Sequence, residues 1–194
     1  MKIIFYFDYI CPFCYVGTKR MIQIKDEFEL DIEWRGIEIH PEFSPEGKKR
    51  KKSPRSEHLA HTLKEITDVD KLDIKLPGLI TNSRLCLEAS EFAKTKGRFY
   101  EFHSAAYDCF FNQKENIGKI ETVIKIGNIA GLDSEELEHS LKERLMREKI
   151  DENKRDADEQ MVMGVPTIYF NEFRVHGVQS PDIYRDIIKK HLLN

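Results

Sequence analysis

Two cysteines three positions apart, in the stretch Cys11-Pro12-Phe13-Cys14, carry the clearest chemistry in this 194-residue chain. On one turn of a helix, thiols at that spacing reach each other. They can close a small disulfide ring and reopen it by exchange with an outside thiol. The same spacing also provides two of the four ligands that a structural zinc ion needs. Zinc calls for a second close pair, yet Cys86 and Cys109 stand singly in helical stretches, without an HxxxH pattern. Exchange chemistry is therefore the better reading, and no metal is expected. Two core cysteines that merely fall three apart remain the bland alternative.

The flanking residues say what must hold this pair. Ile3-Ile4-Phe5-Tyr6-Phe7 is short, rich in β-branched and aromatic residues, and stops at Asp8, the pattern of a buried strand. Pro12 suits the first position of a helix, where a missing N–H costs nothing, which leaves Cys11 as N-cap. Gly17, Met21, Ile24 and Phe28 then recur on one helical face. Cys11 thus stands at the positive end of a helix, beside unpaired N–H groups. The reactive form of a thiol is its anion. Making most of an ordinary thiol ionised at neutral pH takes a fall of about two pKa units, or about 2.7 kcal/mol. A helix dipole supplies about 0.3–1 kcal/mol and at best about 2. Hydrogen bonds to the sulfur, from backbone N–H groups and from the Cys14 thiol, must add the rest. Cys11 is the expected nucleophile. Cys14, one turn into the helix and less exposed, is the expected resolving thiol.

A second stretch far along the chain, Met163-Gly164-Val165-Pro166-Thr167-Ile168-Tyr169-Phe170, runs from a turn through a proline into a strand-like segment. Proline belongs at the first residue of a strand or on an edge, and after a glycine turn it is a candidate for a cis bond. Taken with the N-terminal CPFC, this stretch resembles the thioredoxin superfamily, and within it the DsbA-like branch with its FrnE-like cytoplasmic members. The matching pieces are Asp8 to Gly17 (DYICPFCYVG), Asn82-Ser83-Arg84-Leu85 running into Glu88-Ala89, Phe102-His103, Gly164-Val165-Pro166-Thr167 and Gly177-Val178-Gln179. They span nearly the whole chain, although only CPFC and GVPT are specific. The resemblance implies that Cys11 and Cys14 are the redox pair. It also implies a cis-proline loop at Val165-Pro166 that faces them and, with Pro12, Phe13 and Thr167, binds the substrate. Kappa-class glutathione transferases and hydroxychromene-carboxylate isomerases share the fold, but they usually carry serine where Cys11 stands and lack the second cysteine. The intact pair argues against them.

Composition fits one elaborated globular domain, with 40% hydrophobic and 34% charged residues. A net charge of −3 gives no reason to expect nucleic acid or an anionic membrane as partner. Met1-Lys2 leads straight into the strand, with no apolar run of signal-peptide length, and no stretch could span a membrane. A cytoplasmic protein is expected, and in that reducing compartment a CxxC is catalytic rather than structural.

Leu30, Ile32 and Trp34 alternate with charged residues as a second, half-buried strand that continues towards Ile37 and Ile39. His40 to His58 has three prolines and the basic run Lys48-Lys49-Arg50-Lys51-Lys52. Without interleaved aromatics it reads as a solvated loop, one that could still steer acidic substrates or fold over the site. From Leu59 to about Met161 the periodicity is helical throughout. Ser83 serves as N-cap and Asp133 with Glu136 as a capping box. Cys86 and Cys109 fall on or beside apolar faces, as inert thiols. His103 is expected to be a satisfied core histidine. Asn171-Glu172 makes a hairpin turn. Ser180 and Pro181 open a last helix with Ile183, Tyr184, Ile187, Ile188 and Leu192 on its packing face.

The expected fold is α/β: a thioredoxin-like unit of residues 1–58 and 162–194, with a helical insertion of residues 59–161 whose last helix leads back to the core. The expected activity is thiol–disulfide exchange with protein or small-molecule thiols and disulfides, restored by a redox-recycling partner. No cofactor is implied; glutathione enters only as a thiol co-substrate. Homodimers occur among relatives, but no residues mark a dimer face. Two other functions stay open on the sequence. One is a glutathione-dependent transferase or isomerase that needs Cys11 alone. The other is a redox-regulated, chaperone-like binding protein that needs neither cysteine.

Overall fold

The computed structural model describes residues 2–192, and the side chain of Leu192 lies outside what is described. The chain begins with β1 (Ile3–Phe7), α1 (Pro12–Phe28) and β2 (Ile32–Gly36), then a two-residue strand β3 (Lys48–Lys49) and α2 (Pro54–Asp70). After β4 (Leu79–Ile80) come α3 (Arg84–Thr95) and α4 (Phe99–Tyr107), the latter running into a π-helical turn, Asp108–Asn112. Helices α5 (Ile120–Ile129), α6 (Ser134–Lys142) and α7 (Arg147–Glu159) follow. The chain ends in the hairpin β5 (Thr167–Phe170) and β6 (Phe173–His176), and α8 (Pro181–Leu192).

The main sheet has the order β2-β1-β5-β6. β1 pairs with β2 in parallel, Phe5 opposite Trp34, and with β5 antiparallel, Phe5 opposite Ile168. Alternation along the strands sends Ile3, Phe5, Phe7, Trp34, Ile168 and Phe170 into one large core, shared with α1, α3, α4, α5 and α8. Tyr6 and Ile37 go to the opposite face and meet Ala157 of α7. The helical segment therefore returns to cover the second face of the sheet, a DsbA-like thioredoxin fold. Tyr6 Oη also donates to Asp156 of α7, and Arg35 of β2 pairs with the same carboxylate, which fixes α7 across β1 and β2.

Local chemistry explains most helix ends. Pro12 and Pro54 occupy first turns, and the Ser53 and Ser56 hydroxyls each accept from the other's backbone N–H. Asp133 Oδ1 accepts from Glu136 N at 2.9 Å. Asn171 stands at φ 55° in the hairpin turn, a conformation asparagine tolerates. Gly17 has a different reason. A Cβ there would lie 3.1 Å from Phe5 Cζ and 3.8 Å from Pro166 Cγ, so glycine lets α1 close onto β1 and the Pro166 loop.

Three expectations are corrected. β2 ends at Gly36: Ile37 N–H makes the last ladder bond, to Phe7 O at 2.8 Å, and Ile39 N–H turns to the Asp8 side chain instead. The segment 59–161 is not helical throughout. α2 already starts at Pro54, and residues 71–83 leave the helix to place β4 against β3. Lys71, at φ 53°, ends α2 in the left-handed region. Ser83 holds the N-cap position of α3, but its hydroxyl makes no cap bond; Asn82 Oδ1 accepts from Arg84 N at 2.8 Å instead.

Candidate active site

The junction between β1 and α1 places Cys11 at the N-cap of α1, as the spacing of Pro12 requires. The backbone N–H of Cys14 donates to Cys11 Sγ at 3.4 Å. The Cys11 thiol faces the carbonyl oxygen of Val165 at 3.5 Å, and the Val165–Pro166 bond is cis. Two segments 154 residues apart in sequence therefore meet at one sulfur. Both thiols are free; Cys11 keeps 6% of its surface accessible and Cys14 none. Burial pushes the Cys14 thiol well up, and its hydrogen bond to Cys11 pushes in the same direction. Cys14 is thereby held as a thiol, a donor beside the Cys11 sulfur.

Behind Cys14 lies an aromatic wall. Tyr107 stacks on Tyr15 at 5.0 Å, and its hydroxyl donates to Asp8 O at 3.3 Å. His103 is a core residue, with Nδ1 2.9 Å from Tyr9 Oη and Nε2 3.1 Å from Thr18 Oγ1. Burial drives its pKa well down, so it stays neutral.

Of the other site residues expected from sequence, Pro12 and Phe13 line a cavity of about 220 Å³ in front of Cys11. Val165 lines a second recess beside it, with Ile39, His40 and the exposed Met163. Pro166 is buried under Gly17. The Thr167 hydroxyl turns inward, donating to Gly164 O at 2.7 Å and lying 3.0 Å from His176 Nδ1, so it closes the loop that carries Pro166. Cys86 and Cys109 are fully buried. Burial raises Cys86 well above its usual range and Cys109 to about 11. Among the described residues no cluster of three or more His, Cys, Asp or Glu side chains could hold a metal ion.

Two residues at the site escaped the sequence reading. Asp8, taken only as the end of a strand, is completely buried. Its carboxylate accepts from Ile10 N at 3.2 Å and Ile39 N at 2.9 Å, and the buried Ser83 hydroxyl, which has no other partner, faces it. Burial nonetheless dominates and raises Asp8 to about 6. Its charge acts on Cys14 and Cys86. The available signal was an acid set between aromatic residues, Phe7-Asp8-Tyr9. The second is Arg50, hidden in the basic run. α2 folds over the cavity as a cover, bringing Leu59 to it, while β3 and β4 deliver Arg50 and Ile80. Arg20, buried in α1, anchors that cover: its guanidinium bonds to Asp70 Oδ2 at 2.8 Å, Ile66 O at 3.0 Å and Gln179 O at 2.6 Å.

A four-stranded sheet with a CxxC at the first strand–helix junction, facing a cis-proline loop and roofed by helices, defines a thioredoxin-fold protein of the DsbA type. The chain belongs to the DSBA-like thioredoxin domain family, whose signature matches residues 2–189. It is 24% identical over 190 residues to the uncharacterised Bacillus subtilis protein YwbO, covering 94% of this chain and 93% of that one. In structure it is similar to a probable DsbA oxidoreductase from Streptomyces coelicolor, with a TM-score of 0.87 at 18% identity over 99% and 90% of the two chains. A 2-hydroxychromene-2-carboxylate isomerase matches with a TM-score of 0.79 at 19% identity over the full length of both. The cytosolic disulfide reductase DsbM of Pseudomonas aeruginosa, solved with glutathione, matches at 0.74 and 14% identity, again over both full lengths. Among the described residues no helix is long and apolar enough to cross a membrane.

Proposed function

We propose that this protein is a thiol–disulfide oxidoreductase that works through the Cys11–Cys14 dithiol in the cytoplasm. One observation carries the reading. Cys11 Sγ is the sulfur that meets the cavity, and it lies between the N–H of Cys14 and the Val165 carbonyl of the cis-proline loop. A pair that served only packing would not put one sulfur at a cavity wall.

In the reducing direction, the Cys11 thiolate attacks one sulfur of a substrate disulfide. The substrate S–S bond breaks, one thiolate leaves with the electron pair, and a mixed disulfide on Cys11 remains. Cys14 then loses its proton and attacks the Cys11 sulfur. The second substrate thiolate departs, and the Cys11–Cys14 disulfide is left for an external thiol to reduce. Asp8 is the group placed to take the Cys14 proton, being a buried carboxyl that titrates near neutrality beside that thiol. Pro12, Phe13, Val165 and Pro166 border the substrate, and glutathione is a suitable small thiol for recycling. Phe13 neither donates a hydrogen bond nor carries charge, so the Cys11 anion gains nothing from it. A less oxidising couple than one with a hydrogen-bond donor at this position follows, since whatever stabilises the thiolate makes the couple more oxidising.

The test is an equilibrium titration in glutathione buffers, with free thiols trapped by alkylation and counted by mass spectrometry. Cys11 and Cys14 are expected to change together as a two-electron couple, with Cys86 and Cys109 unaffected. A stable glutathione adduct on Cys11 that Cys14 never resolves would overturn the dithiol mechanism.

A further inference from the structure

The cavity in front of Cys11 is lined by a cation that no carboxylate among the described residues neutralises. Arg50 is half-buried and lines this space together with the nucleophile. Its backbone N–H bonds to Gly78 O at 2.8 Å and its Nε to Pro77 O at 3.0 Å, which locks the side chain to the β4 side of the cover. Both terminal nitrogens of the guanidinium are left without a hydrogen-bond partner, and no carboxylate among the described residues pairs with it. The other basic side chains nearby are committed or face solvent. Lys48 lies over the Phe43 ring at 5.2 Å, His40 pairs with Glu42 at 2.8 Å, and Lys51 and Lys52 are exposed.

Most of the remaining wall is apolar, with Ile10, Phe13, Ile39, Phe43, Ile80 and Phe110 among its residues, and His40 and Thr81 are its polar members. At about 220 Å³ the space exceeds the roughly 150 Å³ that holds a benzene ring in an engineered core. A half-desolvated guanidinium at the edge of an apolar, thiol-bearing cavity is a receptor for a carboxylate, which a fork of N–H groups meets in two parallel bonds.

We propose that the cavity selects small disulfides and thiols that pair an apolar or aromatic body with a carboxylate. Arg50 holds the carboxylate while Cys11 attacks the sulfur. This rests on the oxidoreductase reading and narrows it to a substrate class. The step is the exchange already described: the substrate S–S bond breaks, the Cys11–substrate S–S bond forms, and the leaving thiolate carries off the electron pair. Arg50 takes no part in bond making. It is a specificity-determining residue, one that a neutral substrate does not need.

The experiment compares the reduced protein's single-turnover rates with two aromatic disulfides. One is the dicarboxylate 5,5′-dithiobis(2-nitrobenzoate); the other is the uncharged 4,4′-dithiodipyridine. Arg50→Gln is expected to slow the dicarboxylate roughly tenfold, the lower end for losing one charge-assisted hydrogen bond, and the neutral probe less than about twofold. Arg50→Lys should recover part of the difference. Lys51→Gln with Lys52→Gln, which alters the diffuse positive field alone, should change the ratio of the two rates by less than about twofold. Equal slowing of both probes by Arg50→Gln, no slowing of either, or an equal effect from the lysine pair overturns the proposal. Binding of 4-nitrobenzoate to the Cys11→Ser protein, followed by titration calorimetry, reads the cavity without any chemistry. There Arg50→Gln should weaken binding about tenfold, and an unchanged affinity overturns the carboxylate site. If both disulfides leave Cys11 unmodified while 4-nitrobenzoate binds in an Arg50-dependent way, the oxidoreductase reading fails and the carboxylate site stands.

Discussion

Replacing Asp8 with asparagine isolates what a buried carboxylate next to the dithiol does to the protein. The native group has two N–H donors, from Ile10 and Ile39, but no solvent, and its pKa stands at about 6 against 3.8 for an ordinary aspartate. The folded state therefore binds this proton more tightly than the unfolded chain does. Its stabilising contribution is fully present below the unfolded value and is lost as pH rises through about 6. The rise from 3.8 to about 6 is worth about 3 kcal/mol in full, of which about 2.4 kcal/mol falls between pH 4 and pH 7. The group is completely buried, so no discount for solvent screening applies. Asparagine cannot ionise, and its amide nitrogen must face one of the two N–H groups, a pH-independent cost of about 1–3 kcal/mol. Urea unfolding of both proteins at half-unit steps from pH 4 to 8 separates the two effects. The variant is expected to lose stability relative to the wild type at pH 4. It should then gain on it by about 2.4 kcal/mol by pH 7, with the midpoint of the change near pH 5, between the unfolded and folded values, and little further change above about pH 6. A difference that stays flat across that range would refute the assignment of the raised carboxyl to Asp8.

Other consequences are as direct. Phe13→His puts a donor beside Cys11; the reduction potential in glutathione buffers should rise by roughly 30–60 mV, the equivalent of one charge-assisted hydrogen bond to the thiolate. No rise would remove Phe13 as a determinant of redox poise. Gly17→Val forces a branched side chain against Phe5 and Pro166 and should lower unfolding stability by roughly 1–3 kcal/mol in urea, with Gly17→Ala costing less. In the native reduced protein, iodoacetamide should modify Cys11 long before Cys86 or Cys109, both fully buried with raised pKa values; peptide mapping over time gives the order. Cys14→Ser should trap a stable mixed disulfide on Cys11 and abolish turnover with disulfide substrates. Retained turnover would instead point to a glutathione transferase or isomerase.

The sequence by itself determined whatever depends on neighbours within a turn or two of chain. Pro12 sets the start of α1 and hence the position of Cys11, Cys14 follows one turn on, and Asn171 makes its hairpin. Thioredoxin-like strands and a helical segment between them were legible because periodicity records which side of an element faces a core. Tertiary structure alone decided the rest. Nothing local tells Asp8 that α3 and the chain after β2 will seal it from water, so its raised pKa could not be read from the run Phe7-Asp8-Tyr9. Nor does a basic run reveal that one of its five cations, Arg50, is drawn inward by Pro77 and Gly78 while its neighbours stay in solvent. α2 began earlier than its periodicity indicated, because only Leu63 and Thr67 of its residues are buried and it is held instead by Arg20, far away in α1. Burial and charge pairing are properties of the assembled fold, settled by groups dozens of residues apart, and a sequence pattern holds no record of which of them will meet.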